Sequence, residues 1–389
     1  MKITNLSLLR VKTALPPGEV VRLESHSVPI DLYPDLRDRH RGHGPATELS
    51  GIYVEVLTDE AGLSGIYGPI QPAQAAVIRS SLRPFLIGRD PLAGELLLDQ
   101  MMRLDRHGRS GLFMTGVSPV DCALWDLRGK ALGQPVYRLL GGPTRAAVPA
   151  YASMLGYPVE PEAAGRAAAE LKGRGYQAQK WFFKYGPSDG DRGMEMNLEM
   201  ARAVRAAVGP AYRLMFDAFM SWDVAYAAQL CRRLEPLDPY WLEEPVPPER
   251  IGAFRRLKRA TRVPLATGEH VYTRWQVREL LARDAVDFVQ TDPDWTGGIT
   301  ELAKICALCS SFEVPVVAHG HSLLPALHVA AAQSPAVVPM VEYLLLAQPH
   351  KQWFHTRRYV PEGGEVELPE GPGLGIALDA SRIEAREEL

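Results

Sequence analysis

The sequence predicts an α/β chain: a parallel βα barrel carrying a smaller α+β domain. Three observations lead there. From residue 147 onward, short apolar runs alternate with amphipathic stretches. Ionisable residues recur at or near the C-terminal ends of those runs. Before residue 145 the rhythm differs, with paired strand-like segments followed by helical ones.

The runs are "VPAYASML", "AQKWFF", "YRLMFDAFM", "PYWLEEPV", "VPLATGEHV", "VDFVQTD", "VPVVAHGH" and "MVEYLLL". Helical stretches such as "PEAAGRAAAELKGRG", "DVAYAAQLCRRL" and "ITELAKICALCSSF" lie between them. Eight buried-looking strands alternating with helices argue for a parallel barrel. The competitor is a doubly wound open sheet. It is weakened because no G-x-G-x-x-G follows the first strand.

Lys180, Asp217, Glu243, Glu269, Asp292, His319 and Glu342 follow the same rhythm, at intervals of 23 to 27 residues from Asp217 onward. In a barrel such strand ends converge on one mouth, where active sites sit. Surface charges have no reason to keep that period.

The segment "SGIYVEVLTDEAGLSGIYG" reads as two strands joined by a turn at Asp59–Gly62. Residues 25–44 are basic and proline-containing and read as a long loop, expected to act as a lid. We place a capping domain at 1–140, the barrel at 141–355, and at 356–389 a segment returning to the cap.

Composition narrows the class. The 389 residues are 46% hydrophobic and 23% charged, as in a globular protein. A net charge of −3 gives no reason to expect nucleic acid or an anionic membrane as partner. No run approaches a membrane span and "MKITNLSLLRVKT" lacks a signal-peptide pattern, so a cytoplasmic protein is expected. The lone C-x-x-C at Cys306 and Cys309 lies in a helical pattern and reads as core.

Strand side chains alternate in direction, so of Glu243 and Glu244 only one is expected to face the mouth. Asp217, Glu243 and Glu269 then bring three carboxylates to consecutive strand ends. Such charges repel unless a cation binds. All-oxygen ligation suits Mg²⁺ before Mn²⁺ or Ca²⁺. Asp292 beside His319 makes a carboxylate–imidazole pair suited to a general base. Lys180 is expected to supply positive charge on the opposite side of the mouth. "HGH" at His319–His321 raises a zinc hydrolase, but such barrels carry H-x-H on the first strand and "AYASML" has none.

On these residues the chain resembles the mandelate racemase subgroup of the enolase superfamily. "ALWDLRGKALGQPVYRLLGG", "FDAFMSWDV", "WLEEP", "TGEH", "QTDPDWTGG" and "VAHG" match its segments in order and spacing. The resemblance implies a modified TIM barrel, (β/α)7β, with an α+β capping domain from both chain ends. It implies Mg²⁺ on Asp217, Glu243 and Glu269, His319 as base backed by Asp292, and Glu342 as a substrate-bonding carboxylate. Many members carry K-x-K on the second barrel strand. Here Lys180 matches the first Lys and Phe182 stands at the second, which disfavours a two-base racemase or a Lys-base cycloisomerase. "WFFKYGPSDGD" and "EPVPPER" look most like rhamnonate-type sugar-acid dehydratases, with epimerisation as the alternative. A small sugar acid is the expected substrate, contacted by Arg41, His26, Lys184 and His270, and a homo-oligomer is expected.

Overall fold

The computed structural model describes residues 1–15, 26–36 and 48–389. Of the expected lid, residues 25 and 37–44, Arg41 among them, lie outside these residues.

The N-terminal part builds an antiparallel sheet from β1 (Ile3–Ala14), β2 (Glu48–Thr58) and β3 (Ser64–Ile70). β2 and β3 form the expected hairpin. The helices Gly94–Leu104 and Gly111–Ala131 follow, the second packing on β3.

The barrel strands are β4 (Ala147–Ser153), β5 (Ala178–Phe182), β6 (Arg213–Asp217), β7 (Trp241–Glu243), β8 (Leu265–Thr267), β9 (Phe288–Val289) and β10 (Val341–Leu344). Neighbours pair in parallel from β4 to β9, and β10 pairs back onto β4. Seven helices connect them in right order, from Pro161–Gly173 to Leu323–Ala332. The run "VPVVAHGH" is not a full strand. It contributes a parallel bridge, Val316 with Val289, because Pro315 has no N–H to give a ladder. β11 (Glu365–Glu367) pairs with β4, and β12 (Ala385–Glu388) adds to β1 in the N-terminal sheet.

Period-2 alternation stacks the barrel interior in layers. An apolar layer holds Tyr151, Ala178, Met215, Trp241, Phe288 and Met340. Two residues further along each strand lie Ser153, Lys180, Asp217, Glu243, Gln290 and Glu342, all buried. The apolar layer is the floor beneath this polar one.

Candidate active site

Lys180 stands at the centre of the polar layer. Its ammonium lies 2.6 Å from Glu243 Oε1, 3.0 Å from Glu342 Oε1 and 3.1 Å from Asp217 Oδ2. This corrects the expectation that it faces the metal carboxylates from across the mouth. Inward positions of β5, β6, β7 and β10 share one layer, so the Lys180 stem delivers its charge into the carboxylates themselves. Burial alone would depress Lys180, but Glu243, Glu342 and Asp217 outweigh it and hold its pKa well above the usual lysine value. The carboxyls feel the converse. Burial, with repulsion from Glu269 and Glu244, raises Asp217 to about 6 against the pull of Lys180. Burial and Asp217 push Glu243 upward too. Glu342 is lowered, since Lys180, His319 and Ser153 outweigh its burial.

Glu243 is held on every side. Trp241 Nε1 donates to its Oε2 at 3.0 Å and Gln290 Nε2 at 2.6 Å. Gln290 is a residue that the search for charged strand ends passed over. Its signal was available: it lies two residues beyond the inward-facing Phe288.

Glu244, the glutamate expected to face the helix layer or a neighbouring strand end, meets Thr267 at the end of β8. Glu244 has φ of 39°, so the chain leaves the strand and the alternation ends there. Glu244 Oε1 accepts from Thr267 Oγ1 at 2.8 Å, and Oε2 lies 3.4 Å from His270 Nδ1. Glu269 follows Gly268, whose φ is 143° and where a Cβ would lie 2.6 Å from the Gln290 nitrogen. Glycine there turns Glu269 off the end of β8 and towards the mouth. Glu269 Oε1 is 3.2 Å from His270 Nδ1, and Oε2 is 3.3 Å from His319 Nε2. Ligand atoms of Glu244, Glu269 and His270 lie within 4.8 Å of one another. Among the described residues this compact group shares only Glu269 with the expected set, because Asp217 and Glu243 are drawn onto Lys180. Burial, with Glu244 nearby, raises Glu269 to about 7 despite His319 and His270.

The imidazole–carboxylate pair forms as expected. His319 Nδ1 lies 2.9 Å from Asp292 Oδ2, leaving Nε2 towards Glu269. Asp292 Oδ1 accepts from Ser322 Oγ and from the Asp294 N–H at 2.7 Å. Burial would lower His319, but Glu269, Asp292 and Glu342 outweigh it and raise its pKa to about 10. Gly320 brings Glu342 close: its N–H donates to Glu342 Oε2 at 2.7 Å, and a Cβ would lie 2.7 Å from Glu342 Cγ. Trp295, which sequence reading did not single out, stacks on His319 with ring centroids 5.0 Å apart.

The expected substrate contacts separate. The His26 ring packs on Phe219 at 4.6 Å and near Phe182 at 6.2 Å, and Ser27 N donates to Phe183 O. That segment therefore covers the ends of β5 and β6. Lys184 does not join the Lys180 cluster. It lies beyond β5, 3.9 Å from Glu160 and partly exposed at the rim. Arg41 lies outside the described residues.

Known proteins agree with this architecture. Residues 162–382 match the family model "Enolase C-terminal domain-like", and residues 46–141 match "Mandelate racemase / muconate lactonizing enzyme, N-terminal domain". The L-rhamnonate dehydratase of Saccharopolyspora erythraea is 35% identical over 374 residues, covering 91% of this chain and 89% of that protein. The crystal structure of rhamnonate dehydratase from Gibberella zeae complexed with Mg is similar with a TM-score of 0.85 at 29% identity, covering 98% of this chain and 95% of that one. A racemase from Streptomyces coelicolor with bound magnesium is similar with a TM-score of 0.79 at 25% identity, covering 98% of both chains. Among the described residues no helix is long and apolar enough to cross a membrane. The chain belongs to the mandelate racemase/muconate lactonizing enzyme family of the enolase superfamily.

Proposed function

We propose that the protein is a Mg²⁺-dependent sugar-acid dehydratase that removes the proton α to the substrate carboxylate and eliminates the 3-hydroxyl, giving a 2-keto-3-deoxy acid. The observation that carries this reading is the His319 imidazole, oriented by Asp292 and aimed into a mouth lined with carboxylates. The names of the relatives at 35% and 29% identity support the substrate class.

The donor set fits a hard cation. Asp217, Glu243, Glu244, Glu269 and Glu342 share the mouth with one lysine and two histidines, and burial, with repulsion between neighbouring carboxylates, raises Asp217 and Glu269. Asp217, Glu243 and Glu269 would hold the ion, with Glu244 and His270 beside them. When bound, Mg²⁺ supplies Lewis-acid stabilisation to charge building on the substrate carboxylate.

The chain's own residues do the rest. Asp292 accepts from His319 Nδ1, which fixes the tautomer and leaves Nε2 as the base. His319 Nε2 takes the C2 proton. Glu269 contributes most to keeping the proton on His319. Glu269 is also one of the carboxylates that would hold the cation, so its pull on the His319 proton would be weaker with the ion bound. The resulting imidazolium then delivers a proton to the departing 3-hydroxyl. The Lys180 ammonium pairs with Asp217, Glu243 and Glu342. With Asp217 and Glu243 holding the ion, the Lys180 ammonium would be free to stabilise charge on the enediolate oxygens. Phe182 fills the position of a second base on β5, so protons move on one face only. His26 and Arg41 are assigned to the polyol, with Lys184 at the rim, and the active form is a homo-oligomer in the cytoplasm. Residues 1–140 form the cap, 141–355 the catalytic barrel, and 356–389 the returning segment.

The test is product analysis across a panel of aldonic and aldaric acids, with and without exhaustive chelation. Keto-acid formation that requires Mg²⁺ is expected. Epimerised acid without keto acid, or full activity after chelation, would reject the reading.

A further inference from the structure

A second His–Asp pair lies beside the first, and the proposed reaction does not use it. His319 and His321 flank Gly320, while Asp292 and Asp294 flank Pro293. The spacing of two therefore repeats on both loops. His319 Nδ1 meets Asp292 Oδ2 at 2.9 Å, and His321 Nε2 meets Asp294 Oδ2 at 3.2 Å. Both imidazoles pack on one ring: Trp295 lies 5.0 Å from each, and the two imidazole planes differ by 11°. The pairs are also joined through backbone, since Asp294 N donates to Asp292 Oδ1.

His321 turns away from the mouth. It borders a narrow cavity of about 30 Å³, lined also by Tyr67, Ser322, Gln348, Lys351 and His355. The Lys351 ammonium lies 2.9 Å from His321 Nδ1 and 3.0 Å from Nε2. Among the described residues no carboxylate lies within ion-pair distance of this ammonium; Asp294 and Asp292 act on it from further off. Burial pulls Lys351 down to about 8 against those two carboxylates, and burial with Lys351 lowers His321. The lysine therefore holds the cation and His321 is the neutral acceptor. With Nδ1 accepting from Lys351, Nε2–H donates to Asp294. Gln348, on the same helical turn as Lys351, donates to the Gly320 carbonyl at 2.6 Å, and Gln74 donates to Asp294 Oδ2 at 3.1 Å. Lys351, Gln348 and Gln74 thus hold His321, the Gly320 carbonyl and Asp294 from the side away from His319.

We propose that Lys351, acting through His321 and Asp294, is a positioning residue for the base: it fixes the turn 319–322 and the Trp295 ring against which the His319 imidazole is aligned. This rests on the reading of His319 as the base. Without the lysine charge, the ions that act on His321 among the described residues are the Asp294 and Asp292 carboxylates. The imidazole then takes a proton, is left without a partner at Nδ1, and lets the shared Trp295 stack shift. Misplacement of a reacting group by about 1 Å costs on the order of 10²-fold.

The experiment is Lys351→Ala in the full-length, Mg²⁺-loaded protein, with Lys351→Arg and His319→Asn in parallel. Expected for Lys351→Ala is a kcat lower by about 10- to 100-fold with KM and Mg²⁺-induced thermal stabilisation near wild type. Lys351→Arg should recover most of that kcat. Added ethylammonium should restore Lys351→Ala and ethanol should not, since a cation and not volume is missing. If Lys351→Ala does not fold, Lys351→Gln replaces it with the same two additives. A kcat within about twofold of wild type overturns the proposal, and so does a loss that neither arginine nor ethylammonium repairs. Persistent activity in His319→Asn would instead reject the base assignment, whatever Lys351 does.

Discussion

Replacing His319 with asparagine removes the imidazole but keeps an N–H able to reach Asp292. That choice isolates chemistry from folding. Asp292 retains Ser322 and the Asp294 N–H, so its buried carboxylate is not orphaned. What is lost is Nε2, the nitrogen facing Glu269, and the stack on Trp295. The stack contributes about 0.5–1.5 kcal/mol to stability, so the variant should fold. Removing a general acid–base group costs about 10²–10⁴-fold. Here one nitrogen both takes the C2 proton and protonates the leaving hydroxyl, which places the loss at about 10⁴-fold or more, a barrier increase of ~5 kcal/mol. Two assays read it: keto-acid formation, and deuterium appearing at C2 of recovered substrate in deuterated solvent. Both should vanish together, while Mg²⁺ still stabilises the protein to heat. If C2 exchange survives at near wild-type rate, another group is the base and the one-base argument collapses.

Other expectations follow from the same geometry. Lys180→Met strips the cation from Asp217, Glu243 and Glu342. Breaking a buried charge cluster in this way costs about 3–5 kcal/mol, and the melting temperature without metal should drop steeply, with Mg²⁺ recovering part of it; an unchanged melt would refute the cluster. Glu243→Gln should weaken Mg²⁺ binding by calorimetry far more than Glu244→Gln. The reverse order would make Glu244, Glu269 and His270 the ligand set. The folded pKa values of Asp217, about 6, and Glu269, about 7, lie above their ordinary values, chiefly through burial. Their contribution to metal-free stability is therefore full below about pH 4 and is lost as pH rises through about 6 and 7. Mg²⁺ replaces those protons, so its thermal stabilisation should grow between about pH 5 and pH 8; a shift independent of pH would show that these carboxyls do not meet the ion.

Much was legible in the sequence because period-2 and βα patterning are local properties of the chain. The barrel, the hairpin of β2 and β3, and the pairing of His319 with Asp292 all follow from spacing, and Lys180, Asp217, Glu243, His319 and Glu342 each lie two positions beyond an apolar residue. Gln290 obeyed that rule too and was passed over only because it carries no charge. Tertiary structure decided the rest, for reasons that spacing cannot carry. Inward positions of four strands lie in one layer, and this sends Lys180 into Asp217, Glu243 and Glu342 instead of across the mouth. The left-handed turn at Glu244 is a single backbone torsion, and it turns an outward residue into a neighbour of Glu269 and His270. The "HGH" stretch showed two histidines on one face, but only the fold supplies Asp294, Trp295 and Lys351 from elsewhere in the chain and gives the second histidine a surrounding of its own. Charge compensation is a sum over groups distant in sequence, so one chain read end to end names the groups and the folded barrel settles which of them meet.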